Sequence, residues 1–143
     1  MTDQLENQLL VEEYSGEGLK RVVESGSWFV GIKNYKPFND VDNLSALERH
    51  FLTDEVFVLL EGRCILLIDQ SPDQSGSDII SVPMEKDLVY CIKKGVWHNT
   101  IVSRDVKIIL VENRDTSMEN SAMYDLSPEQ IQTLIQELKT KYF

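Results

Sequence analysis

The sequence predicts an all-β protein, a sandwich or a barrel, with one α-helix at its C-terminal end. Two patterns indicate this fold class. Through the middle of the chain, short apolar runs alternate with turn residues about every eight to twelve positions, which is typical of all-β domains. Near the C-terminus, apolar residues instead recur at helical spacing. A chain of 143 residues can bury one hydrophobic core, so we expect a single domain over residues 1–143.

Strand-like segments are bounded by turn dipeptides such as Ser25-Gly26, Glu61-Gly62 and Lys94-Gly95. The predicted strands cover residues 19–24, 27–35, 55–61, 63–70, 79–84, 88–92, 100–104 and 106–113. The polar stretch 70–78 is predicted to be an exposed hairpin loop. A closed or double-sheet arrangement would leave few strand edges exposed at this size.

The C-terminal segment carries the residues that begin a helix. Ser127 is the predicted N-cap, Pro128 occupies the first helical position, and Gln130 occupies the capping-box position. The apolar residues on one helical face are Ile131, Leu134, Ile135, Leu138 and Tyr142. We therefore expect a helix over about 128–142 that packs against the β core.

Charge and composition exclude several partners. The net charge is −10, from 24 acidic and 14 basic residues, and no basic cluster is larger than a pair such as Lys93-Lys94. Nucleic-acid binding requires a basic surface, so we expect no nucleic-acid partner. No apolar run approaches the roughly 18 residues of a membrane helix, so we expect no membrane partner. Residues 1–13 lack signal-peptide features, which predicts a cytoplasmic location.

Both cysteines, Cys64 and Cys91, lie in apolar segments without a CxxC motif, and we predict two buried free thiols. Two cysteines are too few for a cysteine-rich structural zinc site. Tyr90 and Cys91 are predicted to line the interior of the barrel.

Glu55 begins an apolar strand and shares one face of it with Phe57 and Leu59. A carboxylate buried there would need a metal, a cation or several hydrogen-bond donors. The other face (Val56, Val58 and Leu60) is also apolar, so both faces are expected to be covered. If Glu61-Gly62 forms a two-residue hairpin turn, Cys64 and Leu66 share the face of Glu55.

The chain contains only two histidines, His50 and His98. His50 precedes the strand that Glu55 begins. His98 follows a turn at Gly95 and begins the next strand. Strand alternation groups His98 with Thr100 and Val102, and places Trp97 and Ile101 on the opposite face. Trp97 is expected to be a core residue, and Lys93-Lys94 a solvated turn.

These residues resemble the two short motifs of the cupins. The first cupin motif has the form HxH, three or four residues, E, six residues, G, and His50, Glu55 and Gly62 match it. The second has the form PxG, two residues, H, which Gly95 and His98 match. The resemblance covers roughly residues 44–113 and is strongest to small single-domain bacterial cupins of unassigned activity, in which a KGVWH segment is familiar. It implies a cupin-type double-stranded β-helix, or jelly-roll barrel.

The sequence departs from the cupin motifs at four positions. Glu48 stands in place of the first histidine, and Lys93 in place of the proline. Asp87 and Val102 replace the glycine and asparagine that flank the second motif. Glu48 lies two residues from His50, on the same side of an extended segment. Because it is beside Arg49 in a predicted connecting segment, we expect a solvated charge there.

In the cupins the matching residues bind a divalent metal. The resemblance therefore implies His50, Glu55 and His98 as ligands of Fe, Mn, Ni or Zn, with no organic cofactor. Glu48 as a fourth, oxygen ligand is the alternative to its being a solvated charge. The resemblance also implies a homodimer, since small cupins commonly pair through an apolar outer sheet face. The expected partner is otherwise a small-molecule ligand.

Three functions remain open at this point. The first is a metal-dependent enzyme acting on a small polar metabolite, as an isomerase, lyase, decarboxylase or dioxygenase. The second is a metal-free enzyme resembling sugar epimerases and isomerases, with His50 as base and Tyr90 as acid. The third is a non-catalytic module that binds a small molecule.

Overall fold

Two five-stranded antiparallel sheets pack face to face in the computed structural model, which describes residues 2–143. The strands are β1 (Leu19–Ser25), β2 (Trp28–Asn34), β3 (Ala46–His50), β4 (Glu55–Glu61), β5 (Cys64–Asp69), β6 (Ile79–Pro83), β7 (Val89–Ile92), β8 (His98–Val102), β9 (Lys107–Asn113) and β10 (Ser121–Asp125). The helices are α1 (Asp3–Glu6) and α2 (Pro128–Tyr142), with short 3-10 turns at Pro37–Asn39, Val41–Asn43 and Met118–Asn120.

The strand order is β1-β2-β9-β4-β7 in the first sheet and β10-β3-β8-β5-β6 in the second. This arrangement confirms the predicted all-β jelly roll with a C-terminal helix. Each of the eight predicted strands is present, with its ends within two residues of the predicted positions. The sequence pattern did not predict β3, β10 or the short α1.

Two hydrophobic clusters stabilise this arrangement. The cluster between the sheets contains Phe29, Phe57, Leu59, Cys64, Leu66, Met84, Ile92, Val102, Val106, Ile108 and Leu110. The cluster between the second sheet and α2 contains Val41, Leu44, Leu47, Ile65, Leu67, Trp97, Ile101, Leu126, Leu134 and Leu138. The alternation predicted for β8 is confirmed, because Val102 lies in the first cluster while Trp97 and Ile101 lie in the second.

The start of α2 agrees with the prediction. Ser127 Oγ accepts a hydrogen bond from the Gln130 N–H, and Gln130 Oε1 accepts one from the Ser127 N–H. Leu134 and Leu138 are buried against the second sheet, so the predicted apolar face is the packed one.

The predicted hairpin at Glu61-Gly62 is wrong, because β4 and β5 belong to different sheets. Gly62 has a φ of +72°, and a Cβ there would lie 2.7 Å from the backbone nitrogen of Val106. The turn therefore carries the chain from one sheet to the other at a crowded corner that only glycine fits. Cys64 and Leu66 nevertheless face the same interior as Phe57, as expected.

Two burial predictions also need correction. Cys64 is buried, and burial raises the pKa of its thiol to about 12, but Cys91 is exposed. Cys91 pairs with Val56 across the outer face of the first sheet, so alternation directs it away from the barrel interior. That outer face is only partly covered, since Val56 and Val58 are half-buried and Leu60 is 43% exposed.

The two sheets are not joined between their edge strands β6 and β7. A cavity of about 330 Å³ opens there, with a mainly apolar lining. The lining residues are Leu66, Ile68, Val82, Tyr90, Cys91, Ile92, Lys93 and Val96. Neither helix within residues 2–143 has the length and apolar composition needed to cross a membrane.

Candidate metal centre

Four side chains from three strands converge inside the barrel. Glu48 and His50 alternate on one face of β3, and Glu48 lies directly opposite His98 on β8. Glu55 begins β4 on the facing sheet. One potential ligand atom from each of the four lies within 4.8 Å of the others. The structure therefore brings all three sequence-predicted ligands together.

Glu55 lies at the centre of this cluster. Its Oε2 is 2.9 Å from His50 Nε2 and 3.1 Å from His98 Nε2. Glu48 Oε1 approaches His98 Nε2 at 3.9 Å. The side chains of His98 and Glu55 are almost completely buried, whereas that of Glu48 is 33% exposed. Glu48 thus marks the side from which solvent reaches the cluster.

Each imidazole is oriented by its other nitrogen. His50 Nδ1 lies 2.7 Å from Ser121 Oγ on β10, and His98 Nδ1 lies 2.9 Å from the carbonyl oxygen of Val96. Because a carbonyl only accepts, His98 Nδ1 carries a proton there. Such anchoring directs Nε2 of metal-binding histidines toward the metal and fixes the tautomer.

Burial and ion pairing act in opposite directions on the pKa of each of these groups. Burial alone would lower the pKa of both imidazoles, but the hydrogen bond and charge of Glu55 outweigh it and raise both pKa values. Burial would likewise raise the pKa of Glu55, yet hydrogen bonds from His50 and His98 hold it well below its usual range. Each shift favours the ionised form of its group, which is the imidazolium for the histidines and the carboxylate for Glu55.

Glu112 is a further acidic residue beside the cluster, and the sequence motifs did not predict it. Its Oε2 lies 3.8 Å from His50 Nε2 and is buried without a hydrogen-bond partner. Burial, and then the charge of Glu55, raise the pKa of Glu112 to about 7. Strand alternation could have identified it, because Ile108 and Leu110 place Glu112 on the inner face of β9.

The donor set fits a divalent cation. Without one, the Glu55 carboxylate can only accept, so His98 needs a proton on each nitrogen to satisfy both of its contacts. A divalent metal would take the place of the Nε2 protons, leaving neutral imidazoles that bind through nitrogen. Two imidazoles with carboxylates suit Fe, Mn, Ni and Zn. The unpartnered Glu112 oxygen also shows that acceptors outnumber donors here, an imbalance that a cation offsets.

The expectation that Glu48 is a solvated charge in a connecting segment is wrong. Glu48 lies within β3, and its carboxylate faces the other three donors. Alternation along the missed strand explains this, since Glu48 and His50 point inward while Leu47 packs on the other side. The departure from the cupin motif therefore replaces a nitrogen donor with an oxygen donor.

The second motif keeps its turn despite its substitutions. Asp87, in place of the family's glycine, has a φ of +70° and so adopts the left-handed conformation that glycine favours. Lys93 is exposed and lies 3.5 Å from Asp54, which fits the predicted solvated turn. Gly95, with a φ of +83°, leads the chain into His98.

Tyr90 does not join the cluster. Its hydroxyl oxygen accepts a hydrogen bond from the Glu85 N–H over 2.8 Å. The pair of His50 as base and Tyr90 as acid stays a prediction. Trp97 is buried, and its indole N–H donates to the Gln74 carbonyl oxygen, as suits a core residue.

Comparison with known proteins identifies the fold. No protein-family model matches the sequence, and no curated protein matches it. The chain is similar to the crystal structure of a cupin-2 domain protein from Shewanella frigidimarina, with 18% identity over 80% of this chain and 94% of the other, and a TM-score of 0.50.

Two further solved structures are similar. Pac13 from Streptomyces, described as a nucleoside dehydratase, has 9% identity over 82% of this chain and 88% of its own, with a TM-score of 0.55. KdgF from Halomonas has 8% identity over 73% and 87%, with a TM-score of 0.51. At these identities the similarities establish the cupin fold, as the motifs had predicted.

Proposed function

We propose that this chain is a metal-dependent enzyme that acts on a small polar metabolite. His50 Nε2, His98 Nε2 and the carboxylates of Glu55 and Glu48 would hold one Fe, Mn, Ni or Zn ion. The observation that supports the proposal is the convergence of these four donors within 4.8 Å, with both histidines anchored through Nδ1. Such preorganised donors are typical of metal sites.

The bound metal would supply a Lewis acid for a carbonyl, carboxylate or hydroxyl group of the substrate. The chain itself would orient the reaction, since the cluster lies between the two sheets and the side chains of His98 and Glu55 are almost completely buried. Glu112 Oε2 is available to accept or donate a proton beside the cluster.

Proton transfer at a carbon next to a polarised group is a lyase or isomerase step. The description of the similar Pac13 as a dehydratase supports lyase chemistry on this fold; dioxygenase chemistry is the other candidate on a site with two imidazoles.

One observation favours a metal-free alternative. Glu55 Oε2 already lies within hydrogen-bond distance of both imidazoles, at 2.9 Å and 3.1 Å. Hydrogen bonds alone can therefore hold these three side chains together. In that case the interior would be a hydrogen-bonding pocket for a small molecule. Metal content separates the two functions.

The test is metal analysis by mass spectrometry of protein purified without a chelating tag and reconstituted with Fe(II), Mn, Ni and Zn. We expect about one metal per chain, lost in His98→Ala and His50→Ala and weakened in Glu55→Gln and Glu48→Gln. Glu61→Gln is the matched control, because Glu61 lies at the exposed end of the same strand as Glu55.

A wild type that stays metal-free under all four conditions would contradict the proposal and leave the metal-free pocket. Equal metal content in wild type and His98→Ala would show that the metal binds elsewhere. Circular dichroism of each variant verifies that the β fold is intact.

A further inference from the structure

Lys33 places an unpaired ammonium group inside the barrel. The residue is 9% exposed and points inward from β2. Its Nζ donates one hydrogen bond, to Thr100 Oγ1 over 2.8 Å. Across residues 2–143 no carboxylate forms an ion pair with it. An ammonium has three N–H donors, so two of them lack a protein acceptor, and burying such a charge is costly.

The partner of Lys33 lies beside the candidate metal centre. Thr100 follows His98 by two positions on β8, so both side chains face the barrel interior, about 6.6 Å apart along the strand. The Thr100 hydroxyl also accepts a hydrogen bond from Asn39 Nδ2, over 3.3 Å. Asn39 donates in addition to the Thr100 carbonyl oxygen, over 2.9 Å. Strand β8 therefore holds the hydrogen-bond acceptor of Lys33 two residues from His98, one of the candidate metal ligands.

Lys33 and Glu48 each pair with an exposed residue of an edge strand. Lys33 pairs across the first sheet with Leu19 on β1, and Leu19 is 41% exposed. Glu48 pairs across the second sheet with Met123 on β10, which is also 41% exposed. The edge strands β1 and β10 belong to different sheets and do not pair with each other. Lys33 on β2 and Glu48 on β3 therefore each lie on the strand next to an edge strand of their sheet.

We infer that the ligand of this site carries an anionic group, a carboxylate or a phosphate, that pairs with Lys33. A second polar group of the same ligand would reach the donors around Glu55. The inference rests on the proposed function, because it names the ligand class for the same barrel interior. Binding supplies the counter-ion that the described residues do not, and the two free N–H groups become charge-assisted donors.

The test compares wild type with Lys33→Met, which keeps side-chain length and removes the charge. Lys20→Met is the matched control, because Lys20 is an exposed lysine on the adjacent strand β1. Succinate and inorganic phosphate are the anionic probes, and succinamide is the neutral counterpart of succinate. Calorimetry and thermal unfolding are recorded on metal-loaded and on chelator-treated protein.

We expect wild type and Lys20→Met to bind succinate or phosphate, and succinamide at least tenfold more weakly. Lys33→Met should lose roughly tenfold to a hundredfold in affinity for the anion, the range of a hydrogen bond to a charged group. Its unliganded Tm should equal or exceed that of wild type, since an unpaired buried charge is gone. Of succinate and phosphate, the probe whose affinity falls more in Lys33→Met identifies the anionic group as a carboxylate or a phosphate.

Equal anion binding by wild type and Lys33→Met would overturn the inference. A wild type that binds neither succinate nor phosphate, whether metal-loaded or chelator-treated, would also overturn it. Metal content measured on the same samples keeps the two proposals apart. A wild type without metal contradicts the proposed enzyme, while the chelator-treated arm still reports on Lys33.

Discussion

Gly95 donates its backbone N–H to the carbonyl oxygen of His50 over 2.7 Å. The turn that precedes one histidine is thereby bonded to the end of the strand that carries the other. This backbone contact couples the two motifs independently of any metal, and it makes the conformation of Gly95 a determinant of the site.

Replacing Gly95 with alanine should weaken metal binding and destabilise the fold. At a φ of +83° a Cβ is strained, although no atom lies close enough to clash with it. We expect a loss of about 1–2 kcal/mol in the free energy of unfolding, with reduced metal affinity, measured by denaturation and calorimetry. Gly26→Ala is the control, because Gly26 has a φ of +56° and equally open surroundings in a different turn. An equal effect of both substitutions on metal affinity would contradict the role of Gly95.

Metal affinity should fall as the pH decreases. Burial lowers the pKa of His50 and His98, but the contact with Glu55 outweighs it and raises both values above the ordinary 6.5. Protons therefore begin to compete with the metal at a pH above 6.5, and they compete more strongly as the pH falls. Displacing two protons gives a decrease of up to about a hundredfold per pH unit. Calorimetric titration with Mn(II) between pH 8 and pH 5.5 measures this dependence. A constant affinity over that range would rule out neutral Nε2 ligands.

Glu112→Gln should stabilise the metal-free protein at alkaline pH. Burial, followed by the charge of Glu55, raises the pKa of Glu112 from 4.5 to about 7, so the folded state binds this proton more tightly than the unfolded state. The corresponding stability is complete below pH 4.5 and is lost as the pH rises through about 7. Removing the acid should therefore add up to about 3 kcal/mol at pH 8 and little at pH 4.

Urea denaturation of chelator-treated wild type and Glu112→Gln at both pH values measures the effect of Glu112. Glu61→Gln, at the exposed end of β4, provides the comparison. If the two variants show the same pH profile, Glu112 does not hold a proton in the folded protein.

The chain should form a homodimer through the outer face of the first sheet. Val58 pairs there with Val89, which is 70% exposed, and Leu60 beside them is 43% exposed. Closed two-fold dimers commonly bury such self-complementary apolar patches. Light scattering should give twice the chain mass for wild type, and half of that for Val89→Lys. A wild type that is monomeric from micromolar to millimolar concentration would contradict this prediction.

Strand periodicity predicted the eight strands because their inner residues are apolar. It failed at β3 because two inward positions of that strand carry Glu48 and His50, so the apolar alternation on which the prediction depends is absent. A functional site thus obscured the strand that supports it, which is where pattern-based reasoning is expected to fail.

The two histidines and Glu55 could be predicted because their spacing follows short motifs. Glu112 and Lys33 could not be linked to them in this way, since their proximity depends on which strands pair and which sheets face each other. Glu112 meets His50, and Lys33 meets Thr100, only across the interior between the sheets. Those distances come from the three-dimensional arrangement alone.

The different environments of the two cysteines make the protein suitable for single-site fluorescent labelling without mutagenesis. Cys91 is exposed and borders the cavity between β6 and β7, whereas Cys64 is buried and its thiol pKa is raised to about 12. Thiolates react and thiols do not, so a maleimide dye added to folded protein should attach at Cys91. A dye at that position would report, through its emission, whether a molecule enters the open side of the barrel.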